Sequence, residues 1–345
     1  MQLKEPLLFK LIHSFLTEYL SIQKRYSINT IRSYRTALNM YLSFAAKEMN
    51  ISLSDLTFKI LNQEMTKKFI YHLKENHKNN AITCNHRLIC IRSFFKYVSD
   101  IEPTLTTFLD EIKKVPLSKT EHRNIEYMSE NAVKIMLSMP DITTDKGIRD
   151  RFLMIMLYDT GTRIQELLSL RIKDIHISQT PIILVTGKGG KQRSIPLMSE
   201  TIGHFEHYMK IFHPVPNGDD FLFYIKHGSS KKMMSDDNVR KLLHKYSCEA
   251  RKICPEIPDN IYPHLWRHSR AMHLYQHGMD LTLIAQWLGH SQLETTLIYA
   301  HADTEHKRKA IQKAMPDNSL IAANSGNDRY QIDDETMLKR LYGLI

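Results

Sequence analysis

The sequence predicts a mainly α-helical protein with a small β-hairpin, on three observations. Glycine and proline number only 12 each in 345 residues, too few for the many tight turns of a β-sandwich or barrel. Apolar residues recur at i, i+3, i+4 and i+7 through most of the first hundred positions, the period of half-buried helices. Two short β-type runs, Ile182 to Thr186 and Arg193 to Leu197, flank a glycine-rich turn at 187–191.

The elements follow in order. Residues 7–22 carry Leu7, Leu8, Leu11, Ile12, Phe15, Leu16, Tyr19 and Leu20 at helical spacing. Asn29 is the expected N-cap of a second helix with the stripe Ile31, Tyr34, Leu38, Tyr41, Leu42 and Ala45. Residues 63–75 and 82–98 give two more, the last with Leu88, Ile91, Phe95 and Val98 inward. Residues 5–102 therefore form a four-helix domain. Periodicity is lost over 103–124, which holds Pro103 and Pro116, and this segment is expected to be a linker. A mixed α/β domain over 125–315 opens with Ser129 as N-cap, contains the hairpin, and is expected to be helical after it. Residues 316–345 read as a flexible tether and a short amphipathic piece with Met337, Leu338, Leu341 and Tyr342.

Composition excludes several classes. Apolar residues at 42% and charged residues at 24% exclude disorder for most of the chain. No apolar run reaches the roughly 18 to 20 residues of a membrane span, and the N-terminal residues lack a signal-peptide pattern, so a cytoplasmic protein is expected. The four cysteines, Cys84, Cys90, Cys248 and Cys254, lack metal-ribbon or disulfide-framework spacing. The net charge is +10. Residues 1–115 hold 17 basic and 10 acidic side chains, and the excess continues through 116–315, as expected of a protein that grips a polyanion.

Four short motifs carry possible chemistry. In Gly161-Thr162-Arg163-Ile164-Gln165-Glu166-Leu167, Thr162 and Gln165 form a capping-box pattern, which would put Arg163 in the first turn of a helix. A cation opposes the macrodipole there, and an anion bound in front would reverse that penalty; an arginine paired to a nearby carboxylate is the plainer alternative. Lys188 sits at the hairpin tip, where most lysines are merely solvated. No phosphate-binding Gly-x-x-x-x-Gly-Lys-Ser/Thr motif is present, and a strand rather than a helix follows. Pro263 opens a helix with His264 and Arg267 three apart. The i, i+4 pairs His264/His268 and His273/His277 invite a zinc reading, but Leu265 stands where a metalloprotease needs glutamate, so no metal is expected. Finally, Gly289 ends one helix, Ser291 with Glu294 boxes the next, His290 falls in the junction, and Tyr299 lies along the second helix.

In that order and spacing, Arg163, Lys188, His264-x-x-Arg267, His290 and Tyr299 resemble the catalytic set of the tyrosine recombinases, the phage-integrase and Xer-like family. The stretches match its patterns G-x-R-x-x-E-L, H-x-x-R-H-S and L-G-H-S-x-x-x-T-T-x-x-Y, and the likeness spans residues 5–313. It implies an N-terminal helical (SAM-like) DNA-binding domain before a catalytic domain, with no arm-binding domain in front.

The resemblance also implies a reaction. Tyr299 would attack a scissile phosphate to give a 3′-phosphotyrosyl link, with His264 as base and Lys188 protonating the departing 5′-oxygen. Arg163, Arg267 and His290 would bind the phosphate, with no cofactor, ATP or metal. The implied partners are double-stranded DNA and further copies of the chain, a homo-tetramer or paired protomers on two sites; the 330–345 tail is a candidate for docking in trans, the alternative being a tail folded on its own subunit. Arg32, Arg35, Arg87, Arg92 and Lys96 are candidate DNA contacts of the helical domain. Mobile-element integration or excision is the favoured role. The alternatives are an Xer-like resolvase of chromosome dimers, a type IB topoisomerase-like enzyme, or a non-catalytic DNA-binding regulator.

Overall fold

A computed structural model describes residues 3–120, 125–228, 230–290 and 292–302, with isolated positions 308, 336, 339, 340 and 343. It divides into two compact units, Met1–Arg123 and Asn124–Ile345.

In the first unit α1 (Pro6–Ser14) runs on into a π-type turn series, Phe15–Gln23. Lys24 N–H there donates to Tyr19 O, five residues back, at 2.8 Å. Helix α2 (Ile28–Glu48) is capped by Ser27, whose hydroxyl accepts from Thr30 N–H, so Asn29 is not the cap but lies inside the first turn. Asn62 and Asn80 cap α3 (Gln63–Glu75) and α4 (Ala81–Ile101) in the same way. Leu38, Tyr41 and Ala45 of α2 and Leu88, Ile91, Phe95 and Val98 of α4 are buried, as the periodicity predicts. Phe15, Phe58, Phe69 and Phe94 complete an aromatic core, each ring stabilising the unit by about 1.5–3 kcal/mol. The expected linker is largely structured. Helix α5 (Thr106–Lys113) buries Leu109 and Ile112 in this same core, and Val115 follows them. Its apolar pattern is only two turns long, too short for periodicity to stand out.

The second unit opens with α6 (Glu130–Ser138), capped by Ser129 as expected. Helix α7 (Asp145–Thr160) passes through the core and stops at Gly161 in the left-handed region, φ +57°. The short α8 (Ile164–Leu168) follows. Strands β1 (Ile175–His176), β2 (Ile182–Thr186) and β3 (Gln192–Pro196) form an antiparallel sheet with Val185 opposite Arg193. Ile183, Val185 and Ile195 turn inward. After α9 (Ser199–Phe212), the expectation of helix alone fails. A second hairpin, β4 (Tyr224–His227) with β5 (Ser230–Met233), turns at Gly228, φ +60°. Its strands are lysine-rich and largely exposed, so no apolar alternation marks them. Helices α10 (Asp236–Arg251), α11 (Pro263–Gln276), α12 (Leu281–Leu288) and α13 (Glu294–Ala302) follow among the described residues. No helix among the described residues is long and apolar enough to cross a membrane.

Candidate active site

Arg267 anchors the site. Pro263 starts α11, which places Arg267 on its buried side with 1% of its surface exposed. Its Nη1 donates to Gly161 O at 2.7 Å and its Nη2 to Leu288 O at 2.6 Å. One guanidinium thus ties the end of α7 to the end of α12. Burial, followed by the charge of Arg163, pulls its pKa down to about 10, which leaves it a cation at neutral pH.

Arg163 is placed differently from the expectation. It is the N-cap residue of α8 in extended backbone, not a first-turn residue. The Thr162–Gln165 box does not form, because Thr162 is buried with its hydroxyl 2.9 Å from that of Thr160. Glu166 closes the turn instead, accepting Arg163 N–H at 3.0 Å and Arg163 Nη1 at 2.8 Å. The plainer reading of Arg163, pairing with a carboxylate, is therefore part of the geometry. Glu166 also takes Nη1 and Nη2 of Arg193, at 3.3 and 2.8 Å. Burial pushes the Glu166 carboxyl up, but its bonds to Arg193 and Arg163 outweigh this and hold it below the usual range.

One histidine, His268, meets Tyr299, and His264 and His290 lie in the same site. The tyrosine is 1% exposed and packs with Ala271, Met272, Ile284 and Leu288. Its hydroxyl shares a 3.0 Å hydrogen bond with His268 Nδ1, not with His264. His264, one turn earlier on α11, meets His268 edge-on with ring centroids 4.5 Å apart. Burial pushes the Tyr299 hydroxyl up to about 12, against the opposing pull of Arg267. His290 follows Gly289, whose left-handed backbone (φ +67°) ends α12, and its Nδ1 lies 2.7 Å from Thr296 Oγ1. Burial pushes His268 and His290 down to about 4, helped by the charges of His264 and Arg267 at His268 and of Arg267 and Arg163 at His290. His264 is lowered too, by burial and then by Arg267 and Arg163. The downward direction at all three favours the uncharged imidazole, which offers one ring nitrogen as acceptor and the other as donor.

The structure thus gathers Arg163, His264, Arg267, His290 and Tyr299 in one place. Lys188 lies in the β2–β3 turn, and the neighbouring Gly187 abuts Glu166, where a Cβ would come within 3.4 Å of Oε1. The Lys188 side chain, Ser291 and the 330–345 apolar positions Met337, Leu338, Leu341 and Tyr342 lie outside the described residues. Sequence reading missed His268 and Arg193 as members of the site. His268 stood in the sequence beside Arg267, but only its 3.0 Å contact reveals a link to Tyr299. Arg193 bonds Trp287 O, 94 residues away, and no local pattern signals it.

The five candidate DNA contacts divide. Arg32, Arg35 and Lys96 are exposed, the first two beside a shallow cavity lined by Leu16, Thr17, Ile28 and Ile31. Arg87 and Arg92 are half-buried and bond backbone carbonyls, Arg87 that of Ser33 and Arg92 those of Lys113 and Val115. Those two arginines staple helices together.

A helical domain followed by a domain with this arginine, histidine and tyrosine arrangement defines the class of tyrosine-type site-specific DNA recombinases. The chain belongs to the phage integrase family, whose model matches residues 126–306, and the family's N-terminal SAM-like domain matches residues 12–100. Tyrosine recombinase XerC of Chlamydia pneumoniae is 30% identical over 322 residues, covering 88% of this chain and 98% of its own. Among solved structures, the Tn1549 transposon integrase in complex with transposon right end DNA superposes with a TM-score of 0.64 at 17% identity, covering 88% of this chain and 98% of its own. A lambda integrase tetramer bound to a Holliday junction gives 0.60 at 15%, covering 87% and 76%. These two likenesses establish the shared fold.

Proposed function

We propose that the protein cuts and rejoins duplex DNA through a 3′-phosphotyrosyl intermediate on Tyr299. The observation that carries this reading is the convergence of two guanidiniums, Arg163 and Arg267, with His264, His290 and a buried tyrosine from four separate segments. The Tyr299 oxygen attacks phosphorus, the P–O5′ bond breaks, and the departing 5′-oxygen takes a proton from Lys188. Arg163 and Arg267 neutralise the non-bridging oxygens, where charge grows in the transition state, and His290 donates a further hydrogen bond. With His268 on the Tyr299 hydroxyl, His264 accepts its proton only after the phenol leaves that partner. One phosphodiester replaces another of similar energy, so the exchange needs neither ATP nor a metal.

Rejoining to a different 5′-hydroxyl recombines two sites, which requires a tetramer on two duplexes. The fold shared with the lambda integrase tetramer supports that assembly. The transposon integrase likeness supports mobile-element integration or excision in the cytoplasm, and the XerC similarity favours resolution of chromosome dimers as the second reading. The test is a nicked duplex on which cleavage cannot reverse. Wild type should accumulate a covalent protein–DNA adduct, with or without chelator, and Tyr299→Phe should bind the duplex equally well yet form none. Adduct from Tyr299→Phe would remove this tyrosine as nucleophile.

A further inference from the structure

Arg193 takes no part in the reaction just described, yet it touches α8 at Glu166, which holds Arg163, and the end of α12, which holds Arg267. It stands on β3 with 14% of its side chain exposed. Nε donates to Trp287 O at 2.9 Å, while Nη1 and Nη2 grip both oxygens of Glu166. Glu166 in turn holds Arg163 by its side chain and its backbone N–H. Trp287 directly precedes Leu288, whose carbonyl accepts from Arg267, and Gly289, whose carbonyl lies 3.5 Å from Arg163 Nη2. The packing is close: a Cβ on Gly289, whose φ of +67° itself favours glycine, would come within 2.9 Å of Arg193 Nη1.

We infer that Arg193 is a positioning residue for strand cleavage, which fixes the aim and the charge of Arg163 through Glu166 and the α12 end whose Gly289 carbonyl it faces. The inference rests on the phosphate-binding role proposed for Arg163. Its physical basis is twofold. Arg163 has 42% of its side chain exposed, so its direction depends on a carboxylate that is itself fixed, and the two-pronged grip of Arg193 fixes it. A lone Glu166 would also neutralise Arg163, whereas the Arg–Glu–Arg triad keeps one net positive charge for the phosphate. Without Arg193 the carboxylate becomes a competitor of the DNA for Arg163.

Single-turnover cleavage of the full-length protein on two nicked duplexes tests this. One carries an ordinary scissile phosphate and the other an uncharged methylphosphonate, which no longer needs charge neutralisation. Arg163→Ala should be slow on the phosphate and recover much of its rate on the methylphosphonate. Arg193→Ala should cleave the phosphate about 10- to 100-fold slower than wild type, the scale of a misplaced catalytic group, with DNA affinity little changed. It should share the methylphosphonate rescue, and Arg193→Lys, which keeps the charge but not the fork, should be intermediate. The double variant should be no slower than Arg163→Ala alone, since both act through one group. Multiplying defects, or an Arg193→Ala defect equal on both substrates, would overturn the inference while leaving the site intact. Normal cleavage by Arg163→Ala would instead overturn the reading of the site itself, and the inference with it. Should Arg193→Ala unfold, Glu166→Gln carries the same test, being expected to add no defect to Arg163→Ala.

Discussion

In the first unit Ser54 and Thr66 are the buried polar residues among those described; in the second there are twelve, including Asp150, Asp159, Glu166, Arg267 and His273. A buried polar group destabilises a fold unless it is paired, so this difference separates two ways of using a core. The first unit spends its polar contacts chiefly on helix caps three residues away, from Ser27, Asn62 and Asn80. The second satisfies its polar groups across the chain, as when Arg267 reaches Gly161, Arg270 pairs with Asp159, and His273 joins Tyr158 to the carbonyl of Met128. A stable helical scaffold can be made from apolar periodicity alone. Holding several cations beside a buried tyrosine requires those long-range bonds, and the second unit is where they lie.

The largest effect should separate two arginines that each bond two backbone carbonyls. Arg267→Ala strands the carbonyls of Gly161 and Leu288; the expected loss is about 3 kcal/mol of stability and ~10³-fold or more in cleavage. Arg92→Ala strands those of Lys113 and Val115 in the first unit, with stability lowered by about 1–3 kcal/mol and no change in cleavage by the bound enzyme. Urea unfolding and adduct formation measured together check both, and a cleavage defect in Arg92→Ala would break the contrast.

Lys188→Ala should slow cleavage of the ordinary site by ~10²-fold, the scale of a missing general acid. A sulfur in place of the bridging 5′-oxygen leaves without a proton, so that substrate should be cut nearly as fast as by wild type. Equal defects on both would make Lys188 a positioning group and Lys191 the next acid to examine.

The contrast also has a pH signature. His268 and His290 have pKa values near 4 in the folded protein, against 6.5 for an ordinary histidine. Between those values the unfolded chain binds protons that the folded site excludes, so their effect on stability is constant above about pH 6.5. Stability then falls as the pH drops through the window towards 4. Both tryptophans, Trp266 and Trp287, belong to the second unit, so their fluorescence during urea unfolding follows that unit alone. The midpoint should fall on acidification from pH 7 to 4.5, and replacing His268 and His290 together by glutamine should flatten the fall. An equally steep fall in the double variant would assign it to other groups.

The same difference governs what could be read from the sequence. Helix positions in the first unit followed from period and caps, because both signals are local; the cap at Ser27 was misplaced by two residues where Asn29 offered an equally good side chain. Helix α5 and the lysine-rich β4–β5 hairpin escaped because neither carries an extended apolar pattern. In the second unit, residue types and order marked Arg163, His264, Arg267, His290 and Tyr299 through a family resemblance, but not their supports. That Glu166 bridges two arginines, or that His268 meets the Tyr299 hydroxyl, depends on contacts that only the folded chain creates.

The smallest expected effect lies in the first unit. Arg32→Ala and Arg35→Ala should each flatten the log–log salt dependence of DNA binding by about 0.9 for every phosphate the side chain no longer neutralises, without altering the chemistry of bound complexes. An unchanged slope in both would exclude this helix face from the DNA grip.

The central claim, that the second unit's buried polar network serves Tyr299 as nucleophile, meets its most direct test in mapping the covalent bond. The chain has 16 tyrosines. Adduct trapped on a nicked duplex can be digested with protease and nuclease, and the residue retaining the nucleotide identified by mass spectrometry. The account predicts that nucleotide on Tyr299 alone; a nucleotide on any other residue, or no covalent adduct at all, would contradict it.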